Sequence, residues 1–322
     1  MMYRFSIVVI LACVLLPSAV VADTTSAPPP ADKTGQGAQA VPQTTLELPP
    51  GSDSARIPFK IVGSSIVVRV KVGYRDMDFA FDSGAGTTIL NEDMFKQMVD
   101  TPGSTFALTT VKIGDVTLND VTVYPSPILQ RYEAADTAIV GLIGGDLMKN
   151  AVVRIDYDSD TIEVTKPSAF NPPANAVSVP MMANARVPIV SATIGNVTGD
   201  KFVIDTGAWS VVVFHQFAAE HPELFTKNNE FKGEGVRTKP ICGTIVNTPY
   251  QESSVQVGDA ASVPNWLVLL TPESSCFNRP LDGLIGYDYL RFFVVTIDMP
   301  RSRVYLELLK KYSEISPILK SA

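Results

Sequence analysis

Phe79-Ala80-Phe81-Asp82-Ser83-Gly84-Ala85 and Phe202-Val203-Ile204-Asp205-Thr206-Gly207-Ala208 are two copies of one pattern, and their recurrence decides how the chain is read. Each copy is an apolar strand-like run ending in Asp-Ser/Thr-Gly-Ala. Each is preceded by a turn glycine, Gly73 or Gly195, and followed by a β-branched run, Thr87-Thr88-Ile89 or Val211-Val212-Val213. A second pair lies downstream. Leu142-Ile143-Gly144 is echoed by Leu284-Ile285-Gly286, and twelve residues beyond each glycine stands an aspartate, Asp156 or Asp298. From ordinary residue usage, one Asp-Ser/Thr-Gly-Ala match is expected by chance on the order of one time in a hundred in a chain of this length. Two copies, each with a matching downstream element, signal an internal duplication.

Working outward, the period is that of strands. Val68, Val70 and Val72 alternate with Arg69 and Lys71, and Met77, Phe79 and Phe81 alternate after the turn at Gly73–Asp76. The strand period predicts an all-β protein, and the repeat predicts two pseudo-twofold-related β-rich lobes, with short helices over 91–99 and 215–225. Lobe boundaries are expected at 56–168 and 169–312, followed by a tail over 313–322. The 322 residues, 46% of them hydrophobic, suffice for two such cores. A net charge of −7, with no basic run, argues against nucleic-acid binding.

The ends read differently. Residues 1–22 carry only Arg4 as a charge, followed by an apolar run broken by Pro17, and small residues at Val20 and Ala22 suit cleavage before Asp23. This predicts an export signal and a periplasmic, cell-surface or extracellular mature chain with no stable membrane span. Retention of the segment as an anchor is the open alternative. Residues 23–55, rich in Pro and Ala, read as a disordered linker or pro-segment, with order expected from Arg56. Without the leader, two cysteines remain, Cys242 and Cys276. An even count in an exported chain reads as a disulfide. Asp205 to Gly286 spans 81 residues against 62 for Asp82 to Gly144, so the extra 19 fall in the stretch holding both cysteines. A bond there would close a loop of about 35 residues and stabilise it by roughly 3–4 kcal/mol in the chain-entropy model.

Paired carboxylates suit the activation of water. One must be ionised to take a proton, the other protonated to polarise a carbonyl, and like charges about 3 Å apart keep one proton between them. Asp82 and Asp205 are the candidates. Gly84 and Gly207 permit close backbone approach, Ser83 and Thr206 can bond across to the opposite turn, and Gly144 and Gly286 close the supporting strands beneath. No metal set or cofactor motif competes. His215 and His221 lack the spacing of a helical zinc pair, and no Gly-x-Ser-x-Gly or phosphate-binding loop is present. Asn196-Val197-Thr198 is a glycosylation sequon.

On these residues the sequence resembles a bilobal aspartic protease assembled from two retropepsin-like (pepsin/retropepsin superfamily) halves, over roughly residues 56–310. The resemblance implies catalytic aspartates at Asp82 and Asp205, hydroxyl residues at Ser83 and Thr206 that grip one another, and an endopeptidase acting as a monomer on peptide or unfolded protein without a cofactor. Ala85 and Ala208 match retropepsin-like halves; pepsin-like enzymes more often carry Ser. Trp209 stands where small residues are usual and either walls a substrate subsite or packs the core. No pepsin-like Tyr flap is evident, and Phe106–Val116 is the candidate hairpin. The alternative is a catalytically silent peptide- or protein-binding protein on the same fold.

Overall fold

A computed structural model describes residues 10–11, 43–99, 106–127, 133–134, 137–233, 235–240, 244–275 and 280–313. Strands dominate. The alternation read around Gly73 forms a hairpin of Ser65–Val72 with Arg75–Phe81, and the matching one around Gly195 pairs Ile189–Ile194 with Val197–Ile204. Helices are short. Asn91 caps Glu92–Lys96 by accepting the amides of Asp93 and Met94. The helix expected over 215–225 stops at Glu220, with Pro222 just beyond its C-cap, His221.

A six-stranded antiparallel sheet joins the two halves. Its order is Ser54–Val62, Thr161–Thr165, Val152–Asp156, Phe293–Asp298, Arg303–Leu308 and Val177–Pro180. The innermost strands pair antiparallel, Val152 opposite Asp298 and Asp156 opposite Val294. A twofold between them carries each half's three strands onto the other's. The echoed Asp156 and Asp298 therefore occupy equivalent strand ends. Val153, Ile155, Val295 and Ile297 are fully buried, so this sheet is core to both halves.

Above it each half repeats one arrangement. In the first, Arg75–Phe81 lies parallel to Thr137–Ile143, with Phe81 opposite Ile143. That strand pairs antiparallel with Thr88–Asn91, which lies parallel to Val116–Ser126. In the second, Ile204 lies opposite Ile285 in a parallel pair. Val212–Val213 then pairs antiparallel with Gly283–Ile285 and parallel with Val263–Leu270. Both halves thus drive an aspartate-bearing turn toward the pseudo-twofold axis.

Two expectations change. Order begins before Arg56: Thr45–Glu47 pairs with Thr117–Asn119, because Leu46 and Leu48 supply apolar surface that packs on the core. The Phe106–Val116 stretch does enter a hairpin, Ala107–Ile113 with Val116–Ser126, but its turn is not free. A β-carbon on Gly114 would lie 3.6 Å from the Arg56 carbonyl oxygen, so the turn rests on the central sheet.

Candidate active site

Asp82 and Asp205 sit one residue beyond the strands that deliver them. The Asp82 amide donates to the Ile143 carbonyl at 2.9 Å, and the Asp205 amide to the Ile285 carbonyl at 3.0 Å. Each turn then folds back on its own carboxylate. Asp82 Oδ1 accepts the amides of Gly84 (2.9 Å) and Ala85 (3.1 Å), and Asp205 Oδ1 accepts those of Gly207 (2.9 Å) and Ala208 (3.1 Å). Two halves of unlike sequence thus reproduce one geometry to within 0.1 Å.

The hydroxyls interlock. Ser83 donates its amide to Thr206 Oγ1 (2.9 Å), and Thr206 its amide to Ser83 Oγ (3.0 Å). Ser83 Oγ donates to the Ile204 carbonyl (2.7 Å), and Thr206 Oγ1 to the Phe81 carbonyl (3.0 Å). All are buried, so every donor and acceptor needs its partner.

The turn glycines let the halves meet. A β-carbon on Gly84 would lie 2.5 Å from Asp205 Cγ, and one on Gly207 would lie 2.4 Å from Asp82 Oδ2. Each carboxyl group therefore rests over the other half's glycine, and the structure brings the two aspartates together. Gly144 and Gly286 are close-packed as well: a β-carbon on either would lie 2.3 Å from a backbone oxygen, of Ala85 and Ser210 respectively.

Both carboxyl groups are fully buried, and both Oδ2 atoms lack a donor among the described residues. Burial pushes both pKa values up. Asp82 is raised further by the negative charge of the neighbouring Asp205. Asp205 rises to about 6, held back by its neighbour Asp82 and by the amides of Gly207 and Ala208. The two carboxyl groups titrate as a pair, so their protons belong to both rather than to either one.

Trp209 is half-buried beside an apolar cluster containing Val212, Phe214 and Leu284, and its Nε1 lacks a partner among the described residues. Cys242 and Cys276 lie outside the described residues. His215 opens its helix, and His221 approaches Glu223 at 3.6 Å.

Sequence reading missed a further pair, Asp146 and Asp288. Asp146 Oδ2 accepts the Thr88 amide at 2.6 Å, and Asp288 Oδ2 accepts the Ser210 hydroxyl at 2.7 Å. Each braces the loop beyond its half's aspartate turn. Burial raises both, Asp288 to about 7. Their signal was present: an aspartate stands two residues after Gly144 and after Gly286.

No family model matches the sequence, nor does any curated protein. The fold has solved counterparts. An aspartic proteinase from Irpex lacteus superposes with a TM-score of 0.50 at 14% identity, covering 82% of this chain and 99% of its own. Conglutin gamma, a basic 7S globulin from lupine seeds, superposes with a TM-score of 0.50 at 11% identity, covering 83% and 99%. At such identities the likeness is one of fold, and the chain has the bilobal all-β fold of the pepsin-like proteins.

Proposed function

We propose that this chain is an aspartic endopeptidase. The supporting observation is the symmetric burial of two carboxyl groups, each held over the opposite glycine, with outer oxygens that lack donors among the described residues. In this reading a water lies between the pair. The ionised carboxylate takes a proton from the water as it attacks the peptide carbonyl, and the protonated partner donates to the carbonyl oxygen. The carboxyl group that took the water's proton passes it to the leaving nitrogen, the other carboxylate takes back a proton from a hydroxyl of the tetrahedral intermediate, and C–N cleavage gives acid and amine with no covalent enzyme intermediate. An extended peptide pairs its backbone with strand edges of the cleft. The same reading takes the mature chain as an exported monomer acting on peptide or unfolded protein.

A second reading is a catalytically silent binding protein, favoured by a seed globulin of the same fold. Cleavage of an unfolded protein, with and without a transition-state-mimicking inhibitor such as pepstatin, distinguishes the two. The peptidase reading expects inhibitor-sensitive cleavage that is abolished by Asp82→Asn and by Asp205→Asn. The double variant should be no worse than either single one, because the pair acts as a unit. Cleavage that survives both substitutions, or that a chelator removes, refutes it.

A further inference from the structure

The pseudo-twofold is broken where a cavity of about 660 Å³ opens beside the first half. Mirrored hydrogen bonds fix the equivalences. The Gly145 amide donates to the Ala85 carbonyl at 2.8 Å, as the Tyr287 amide does to Ala208 at 2.8 Å. Gly145 therefore answers to Tyr287, Gly86 to Trp209, and Lys149 to Arg291. In the central sheet Pro58 pairs with Thr161 as Pro180 pairs with Arg303, so Phe59 answers to Met181 and Tyr157 to Met299.

On one side of the axis these positions hold rings. Tyr157 packs edge-on against Tyr287 at 5.6 Å and against Phe59 at 6.2 Å, and the Arg291 guanidinium lies 6.0 Å from the Tyr287 ring centroid. On the other side the equivalents are Met181, Met299, Gly145 and Gly86, all of which line the cavity with Lys149 and Arg186. Both cations are exposed, and among the described residues neither has a carboxylate within ion-pair distance, although the cavity-lining Asp146 acts on Lys149 at longer range. None of Asp82, Gly84, Asp205 and Gly207 lines the cavity.

We propose that this cavity is a binding site for an aromatic carboxylate, with the ring in the space mirroring the tyrosine and tryptophan and the carboxylate against Lys149 and Arg186. The volume lies in the usual range for small-molecule sites. Met181, Met182 and Met299 supply flexible, polarisable walls that suit a ring. The floor includes Asp146, which braces the Thr88 amide, so the ligand touches a group that supports the Asp82 loop. The site is independent of the proposed peptidase activity.

N-acetyl-L-tryptophan, its amide, and a tetrapeptide ending in tryptophan serve as probes, titrated into full-length protein carrying methyl-¹³C methionine. The acid is expected to bind with a Kd of roughly 0.1–1 mM and to shift the methyl signals of Met181, Met182 and Met299. The amide, and the acid with Lys149→Met/Arg186→Met protein, should bind at least about tenfold more weakly. Binding should persist in the Asp82→Asn/Asp205→Asn variant. A tetrapeptide matching the acid extends the ligand class to peptide C-termini; a much weaker tetrapeptide restricts it to free molecules, and either result supports the site. Equal affinity for acid and amide, indifference to loss of the two cations, shifts confined to other methionines, or loss of binding in the double Asn variant would each overturn the assignment.

Discussion

Thr206 shows how much one hydroxyl does here. Its oxygen accepts the Ser83 amide and donates to the Phe81 carbonyl, so it bonds twice across the pseudo-twofold. Valine matches its shape but can do neither. Thr206→Val would leave a donor and an acceptor stranded in a buried site, each costing about 1–3 kcal/mol. The expected loss in urea unfolding is therefore about 2–6 kcal/mol, with the proposed peptidase activity falling as the turns lose register. A variant as stable as the parent would show that the interlock contributes little.

At the scale of elements, the short helices after Gly144 and Gly286 are braces. Gly286 starts Tyr287–Leu290, whose Asp288 holds the Ser210 hydroxyl and accepts its neighbour Tyr289's amide. Asp288 is partly buried and raised to about 7, so ionising it costs the folded state. Asp288→Asn keeps an acceptor for the loop and removes the charge. The expected outcome is a Tm above the parent's at pH 8 and close to it at pH 5. A lower Tm at both pH values would mean that the carboxylate form itself is needed.

For the whole molecule, the buried carboxyl groups share one direction of shift. Asp82 and Asp146 are raised, Asp205 lies at about 6, and Asp288 and Glu252 lie at about 7, in each case chiefly through burial. A group raised in the folded state contributes stability that is fully present below its unfolded value, roughly 4 for a carboxyl. That stability is lost as pH rises through the folded value. The folded chain holds protons that the unfolded chain has released, so stability falls with rising pH. The Tm should drop by several degrees between pH 5 and pH 8 in thermal unfolding followed by circular dichroism. A Tm that rises over that interval would contradict the burial of these groups as charged species.

Much of this was legible in the residues. The duplicated Asp-Ser/Thr-Gly-Ala turns and the period-two runs before them specify the strands and the twofold, because strand alternation and turn chemistry are local properties written in consecutive residues. The echoed Leu-Ile-Gly pair marks the supporting strands for the same reason: the close approach at Gly144 and Gly286 leaves no room for a β-carbon. Asp146 and Asp288 repeated just as faithfully, yet their role depends on which loop they meet, and that loop lies tens of residues away. Phe106–Val116 read as the candidate flap hairpin, and only the packing of its Gly114 turn against Arg56 showed where that turn rests. Likewise the contrast of Gly86 with Trp209 and of Gly145 with Tyr287 is visible in the sequence, but not that one set of rings clusters while its mirror image is a cavity. Local pattern sets the elements. Burial, the proton shared across the axis, and the break in symmetry arise only when residues distant in the chain are packed against one another.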